Sequence, residues 1–301
     1  MRRLLTPTTQ LTEPARSPDN EPASAQNEEL RFALDLADRA GQLLVDRYER
    51  VERIDYKSAR DVVTEVDHLS EELVLSAIRE RYPDDAILAE ESGEHRAVRG
   101  ESPSLLVGRT WVIDPLDGTV NYANGIPFFC VAIGLVIDGR PTVGVVRDPV
   151  RGETLSATAD GPARLDGPLL HGPRRVYASD KEKLSDFVIS LALSGRTVAG
   201  RLKAVRKAVR IPRTMGSAAL GLAYVGNGRF DAFVQEGGLS AWDVAAAGLI
   251  AERGGATVTD MAGGPWFDLS RSSRSIGILA APPAHHAALL ELVARGSSTS
   301  R

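Results

Sequence analysis

Apolar residues recur at helical spacing over residues 29–50. Phe32, Leu36, Ala40, Leu43 or Leu44, and Tyr48 fall three or four apart, with Asp35, Asp38, Arg39, Asp46 and Arg47 mainly off that stripe. The spacing predicts a first helix. A polar stretch begins at Lys57. A second stripe, Val66, Leu69, Leu73 and Ile78, then predicts a helix that starts between Thr64 and Asp67 and ends at Tyr82-Pro83. Here the period changes. Ala86–Ala89 and Thr110–Ile113 are short runs of strand-forming residues, and Phe128–Ile137 is an almost unbroken apolar run that suits a strand buried on both faces. Asp138-Gly139 reads as a hairpin turn, Thr142–Arg147 as its return strand and Glu153–Ala159 as one strand more. Residues 94–108 and 120–127 are expected to be loops. The first half therefore predicts an antiparallel sheet flanked by two helices.

Gly161, Pro162, Gly167, Pro168, Gly172 and Pro173 mark a loop-rich stretch. After it, strands at Phe187–Leu191, Phe230–Val234, Thr257–Thr259 and Ser275–Ala280 alternate with helices over 197–209, 218–225, from Ala241 to Gly254-Gly255, and over 283–294. Alternation in both halves predicts a layered α/β sandwich. Two subdomains are expected, 29–160 and 161–296. A disordered tail is expected over 1–28, rich in Pro, Thr, Glu, Ser and Asn, with a short second tail at 297–301.

Composition narrows the class. The chain has 301 residues, enough for a substantial core, with 43% hydrophobic and 25% charged residues, as in an ordinary soluble enzyme. A formal net charge of −4 argues against a nucleic-acid binder that relies on a global positive field. The basic helix carries Arg201, Lys203, Arg206 and Lys207, with Arg210 nearby; it reads as a solvated face, with an anion-attracting rim as the alternative. Cys130 is the single cysteine, so no intrachain disulfide framework forms; it reads as a small core residue. No apolar run reaches membrane-spanning length, and the N-terminus lacks the apolar centre of a secretory signal, so a cytoplasmic protein is expected.

The chemistry gathers at Trp111-Val112-Ile113-Asp114-Pro115-Leu116-Asp117-Gly118-Thr119. An apolar strand runs into two acids spaced by three, and Pro115 is expected to end the ladder at Asp114. Ala86–Ala89 repeats the pattern, ending in Glu90-Glu91-Ser92-Gly93. Asp243 opens a helix, as does Asp67, and spacing alone makes both helix-start residues. Acids at the ends of buried strands need neutralising. An all-oxygen set favours Mg²⁺, Mn²⁺ or Ca²⁺. Magnesium held by carboxylates serves phosphate chemistry. Gly118 would let phosphate approach the backbone and the Thr119 hydroxyl would orient a water; no Ser/His/Asp or Cys/His pairing stands out.

These residues resemble a known family. Asp114-Pro-Leu-Asp117-Gly118-Thr119 with Val120-Asn121-Tyr122 resembles the first signature of the inositol monophosphatase family, and Trp242-Asp243 through Gly254-Gly255 resembles its second. Ala89-Glu90-Glu91-Ser92 and Asp61–Asp67 match two further segments, so the resemblance covers roughly residues 30–290. It implies a layered α-β-α-β-α fold, a homodimer, and Mg²⁺-dependent, Li⁺-sensitive hydrolysis of small phosphate monoesters. It places Glu90, Asp114 and the Leu116 carbonyl on a first metal, Asp114, Asp117 and Asp243 on a second, and a weaker third ion near Glu90, with Mn²⁺ as a substitute. Thr119 with Asp67 would activate the attacking water, beside Glu90. Asp117, Gly118, Thr119, Gly216, Ser217, Glu236 and Asp243 would meet the substrate, Glu236 as acceptor for a substrate hydroxyl.

Leu239-Ser240-Ala241 and residues 160–175 depart from familiar members, which leaves the alcohol open. Arg213-Thr-Met-Gly216-Ser217 looks most like the bacterial inositol-phosphatase branch. Inositol 1-phosphate is the first expectation; histidinol phosphate and fructose 1,6-bisphosphate are the alternatives. The rival class is a non-catalytic interaction protein that kept the fold. Neither a membrane nor nucleic acid is expected as partner.

Overall fold

The computed structural model describes residues 25–50, 54–58, 61–95, 107–193 and 198–294. In chain order the first half runs α1 (Ala25–Arg47), β1 (Ile54–Ser58), β2 (Asp61–Thr64), α2 (Glu65–Arg81), β3 (Ala86–Ala89), β4 (Gly93–His95), β5 (Arg109–Asp117), α3 (Thr119–Ala123), β6 (Cys130–Ile137), β7 (Arg140–Asp148), β8 (Glu153–Thr158), β9 (Arg164–Asp166) and β10 (Arg174–Arg175). The second half runs β11 (Val188–Ala192), α4 (Val198–Ala208), β12 (Ile211–Arg213), α5 (Ala218–Gly226), β13 (Ala232–Leu239), α6 (Ala241–Arg253), β14 (Thr257–Asp260), β15 (Ile276–Ala281) and α7 (Pro283–Ala294).

Among the described residues, eight strands form one sheet in the order β10-β9-β8-β7-β6-β5-β3-β4, and five form a second in the order β12-β11-β13-β15-β14. The first sheet is antiparallel except where β3 and β5 run parallel. That exception brings the C-terminal ends of two acid-tipped strands side by side. In the second sheet, β11 runs parallel to both β12 and β13, and β15 is antiparallel to β13 and β14.

Period-2 alternation sends side chains into two different cores. From β6, Val131, Ile133 and Leu135 pack with Leu36 and Leu44 of α1 and Val66 and Ile78 of α2. Cys130 and Ala132 face the other way, to meet α5 and α6 and, beyond them, Phe233 and Ile278 of the second sheet. The far face of that sheet is covered by Val205 of α4 and Leu289 and Val293 of α7. The result is the expected α-β-α-β-α sandwich.

Bare backbone sets the depth of the middle helix layer. Gly134 of β6 and Gly144 of β7 are register partners. A Cβ on Gly144 would meet the Ala246 carbonyl oxygen at 2.7 Å, and one on Gly134 would meet Ala245 Cβ at 3.1 Å. Helix α6 therefore sits against the sheet at the closest distance that its alanines permit.

Several stretches differ from expectation. Helix α1 begins at Ala25, so the end of the expected 1–28 tail is helical; residues 1–24 lie outside the described residues, as do 295–301. The polar stretch after Lys57 contains the β1–β2 pairing, and β4, β9, β10, β12 and α3 fall where loops or no element were expected. These are elements of two to five residues whose pairing comes from neighbours, so no hydrophobic period announces them. The strand ending at Asp114 in expectation continues as β5 to Asp117. Its pairing with β6 breaks between Asp114 and Asp117 and resumes where Asp117 faces Cys130. Pro115, lacking an N–H, sits in that break.

Candidate active site

Helix α2 braces both acidic turns. Ser70 Oγ donates to the Pro115 carbonyl at 2.9 Å, and Glu91 N donates to Glu71 Oε2 at 2.9 Å. The first residues of α2 enter the site itself. Thr64 is the N-cap, and Asp67 accepts from Thr64 N at 2.8 Å and from Thr64 Oγ1 at 2.6 Å. The other oxygen of Asp67 accepts from Thr119 Oγ1 at 2.9 Å. Asp67 is thus a helix-start residue, as spacing says, and also the partner of Thr119. The Thr119 hydroxyl has a second acceptor in the Leu116 carbonyl, at 3.0 Å.

Asp114, Asp117 and Asp243 bring carboxylate oxygens within 4.8 Å of one another. Asp114 is buried and accepts from Leu116 N at 3.1 Å. Burial, then the charges of Glu90, Asp117 and Asp243, hold its carboxyl well above the usual carboxylate range, and a hydrogen bond with Glu90 adds to the effect. Asp243, the third residue of α6, accepts from Ser240 N at 2.6 Å. It too is held well above the usual range, by burial and then by Asp117, against opposing help from Ser240 N.

Asp117 differs from both. Its carboxylate lies at the start of α5 and accepts from Ser217 Oγ, from Ala219 N at 2.8 Å, from Ala218 N at 3.1 Å and from Leu220 N at 3.4 Å. Burial raises its pKa, while the Ser217 hydroxyl and those amides oppose the rise. A carboxylate from the first half thus caps a helix of the second. Cys130 Sγ stands 3.7 Å from the same carboxylate, and burial pushes its thiol well up.

Two glycines shape the wall. Gly118 has φ +97, and a Cβ there would meet Phe128 O and Ser217 Cβ, each at 3.1 Å. Gly216 has φ +79 and faces Asn121, whose Nδ2 donates to Phe128 O at 2.7 Å and Met215 O at 2.8 Å. Both need the left-handed region that glycine enters without strain. A cavity of about 310 Å³ opens here, lined by Asp117, Ser190, Thr214, Gly216, Ser217, Gln235, Gly238 and Asp243 among others.

The donor set fits a hard divalent cation: it is oxygen-only, desolvated and mutually repelling, so that a positive charge relieves the strain on all three carboxylates. The structure brings together Asp67, Thr119, Asp114, Asp117, Ser217 and Asp243, with Glu90 joined through Asp114 and the Leu116 carbonyl through Thr119. Glu236 stands apart. Its carboxylate is held by Arg201 of α4, and the cavity wall on β13 includes Gln235, Gly238 and Leu239. Asn121 lies within the first signature without a role assigned to it, and Arg201 carries no motif signal. Arg201 does share a helical row with Val205 and Val209, the one hint that it points inward.

The geometry agrees with the comparisons. A family model described as the inositol monophosphatase family matches residues 25–298. The chain belongs to the inositol monophosphatase family. A Pasteurella multocida protein named Nus factor SuhB is 37% identical over 248 residues, 79% of this chain and 87% of that one. A Thermotoga maritima fructose-1,6-bisphosphatase/inositol-1-monophosphatase is 33% identical over 235 residues, 78% of this chain and 85% of the relative. The solved Thermotoga maritima IMPase superposes with a TM-score of 0.77 at 30% identity, covering 90% of this chain and 98% of that chain. Family membership supports phosphatase activity. No helix among the described residues is long and apolar enough to cross a membrane.

Proposed function

We propose that this chain is a Mg²⁺-dependent phosphomonoesterase acting on a small polyol or sugar phosphate, with inositol 1-phosphate as first substrate. One observation carries the reading: three carboxylates converge, two of them (Asp117 and Asp243) lining a cavity of about 310 Å³, on a turn whose Leu116 carbonyl also holds the Thr119–Asp67 pair. Glu90, Asp114 and the Leu116 carbonyl would hold one ion, and Asp114, Asp117 and Asp243 another. Bound there, Mg²⁺ (or Mn²⁺) supplies a lowered pKa for water and a counter-charge for phosphate and leaving oxygen.

The chain supplies the rest. Thr119 Oγ1 gives its proton to Asp67 as it takes one from the attacking water, and Asp67 is kept in place by Thr64 N and Oγ1. Phosphate would be received by the backbone N–H groups of Gly118 and Thr119, on a turn whose φ of +97 at Gly118 only glycine enters without strain. Gly216 and Ser217, packed next to Gly118, line the cavity. Gln235, Ser190 and Thr214 bring polar groups to the cavity, which suits an alcohol with hydroxyls. Histidinol phosphate and fructose 1,6-bisphosphate are the alternatives, the second because one relative is named for it. A homodimer in the cytoplasm completes the proposal.

The test is phosphate release from inositol 1-phosphate, fructose 1,6-bisphosphate, histidinol phosphate and p-nitrophenyl phosphate, with Mg²⁺ and with EDTA. EDTA-sensitive turnover of a polyol or sugar phosphate is expected; none on any substrate overturns the reading. Relatives named Nus factor favour a second reading, a partner-binding protein on the same fold. Partner capture by a catalytically dead Asp243→Asn chain, together with no turnover by the wild type, would select it.

A further inference from the structure

Helix α2 buries one stripe, and the stripe changes character along its length. Val74, Leu75 and Ile78 face the core, whereas Asp67, Ser70 and Glu71, spaced i, i+3 and i+4 on the same side of the first turns, are polar and buried. Buried polar groups need partners. Each of the three finds one in a different segment of the candidate site. Asp67 accepts from Thr119 Oγ1, Ser70 Oγ donates to the Pro115 carbonyl at 2.9 Å, and Glu71 Oε2 accepts from Glu91 N at 2.9 Å.

The last two bonds stand where the sheet stops holding its own strands. Strand β3 runs parallel to β5 as far as Ala89 opposite Ile113, and Glu90 N still donates to the Ile113 carbonyl at 3.2 Å. Pro115 has no N–H with which to continue, so the ladder ends as the acids begin. Strand β5 also loses β6 between Asp114 and Asp117. Consecutive residues of one helix take over from both ladders. Glu71 holds the peptide that joins Glu90 to Glu91, and Ser70 holds the peptide that joins Pro115 to Leu116.

Glu71 is a costly clamp. It is 4% exposed, and among the described residues no Lys, Arg or His pairs with it. An apolar side chain would fasten helix to sheet at lower cost. What a carboxylate adds is a tighter grip on a backbone amide than a neutral acceptor gives. That grip is spent on the turn that carries Glu90.

We infer that Ser70 and Glu71 are positioning residues. They set the separation of Glu90 from the Asp114–Leu116 turn, and with it the fit of the divalent cation that Glu90, Asp114 and the Leu116 carbonyl would share. This rests on the metal assignment within the phosphatase reading above. Each residue acts through a backbone group, so its influence is on how tightly the cation is held.

The test is the apparent Kd for Mg²⁺ of the full chain, read from the dependence of Tm on Mg²⁺ concentration with no substrate present. Glu71→Met should raise it about tenfold, the order seen when a group that orients a metal ligand is removed. Glu71→Gln drops the charge but keeps an oxygen for Glu91 N, and should raise it less than about threefold. Ser70→Ala should raise it about threefold, because only the Leu116 side is released. Val74→Ala loosens the apolar end of the same stripe; it should lower Tm in EDTA and leave the Kd unchanged. If Glu71→Met fails to fold, Ser70→Ala carries the test by itself. A lower Tm in EDTA with an unchanged Kd in the Ser70 and Glu71 variants is the mark of a purely structural role and overturns the inference. So does a Glu71→Gln loss as large as that of Glu71→Met, since charge and not placement then explains it, or a Val74→Ala loss of the same size. A wild type whose Tm ignores Mg²⁺ removes the cation and the inference together. Failure of the phosphatase reading alone looks different: Tm still responds to Mg²⁺, but the wild type releases no phosphate from any substrate in the panel above.

Discussion

Two helices enter the site in the same way and do different things there. Asp67 and Asp243 are each the third residue of their helix, and each reaches back to the backbone N–H of the residue before it, Thr64 at 2.8 Å and Ser240 at 2.6 Å. Around that shared device the surroundings diverge. Asp67 is surrounded by hydroxyls, Thr64 Oγ1 on one oxygen and Thr119 Oγ1 on the other. Asp243 faces Asp117 and Glu90, whose charges add to burial in raising its pKa, with Arg274 as a counterweight. A cap fixes where a carboxylate points; on the proposed reading its neighbours decide whether it takes a proton, as Asp67 would, or shares a cation, as Asp243 would.

The largest expected effect separates the two. Asp243→Asn should lower Mg²⁺-dependent turnover by about 10³-fold or more and abolish the rise in Tm that Mg²⁺ produces, because a charge of the cation site is gone. Asp67→Asn should lower turnover by about 10²- to 10³-fold and keep the Mg²⁺-induced rise in Tm, because only proton transfer is impaired. If both variants lose the Tm response, the contrast between them collapses. Next in size, Thr119→Val should cost about 10²-fold in kcat while Thr119→Ser retains most activity, since the hydroxyl is what links water to Asp67.

pH sharpens the contrast from the metal side. Asp114 and Asp243 have folded pKa values raised well above the ordinary one. Between the unfolded and folded pKa values the metal-free folded chain therefore holds more protons than the unfolded chain, and its stability falls as pH rises through that window. Mg²⁺ needs the ionised carboxylates, so its stabilising effect should grow over the same rise. Melting curves in EDTA and in Mg²⁺ from pH 5 to pH 8 should diverge progressively; parallel curves would remove the cation from the account. The smallest effect is local. Ser240→Ala should cost about 1 kcal/mol, a few degrees in Tm, with kcat largely kept. Thr64→Ala should cost a similar amount and also lower kcat, because it takes a hydroxyl from Asp67.

Much of this site was legible because its acids stand at abrupt changes of pattern. Ala86–Ala89 and Trp111–Ile113 are apolar runs that end in carboxylates, and a buried strand does not end so without a reason. Asp67 and Asp243 were harder, since a capped helix explains each by itself and only the folded chain shows Asp67 also bonded to Thr119 and Asp243 also beside Asp114 and Asp117. The layered fold followed from alternating periods. The short strands β4, β9, β10 and β12 did not, because a two- or three-residue strand is defined by the strands it pairs with. Arg201 was hidden for another reason. A basic helix averages to a solvated face, and burial of one arginine among Lys203, Arg206 and Lys207 depends on Glu236, which lies 35 residues away.

The glycine pair beneath α6 has a consequence beyond packing. Asp243 is two residues from Ala245, so any lift of α6 off Gly134 and Gly144 carries the carboxylate with it. A methyl on Gly144, met by a carbonyl oxygen at 2.7 Å, forces such a lift. Coordination bonds tolerate errors of only about 0.2 Å. Two hydrogen atoms on neighbouring strands thus act as the gauge block of the candidate site, and on the proposed reading a substitution on the sheet side of a helix would miscalibrate chemistry at its tip.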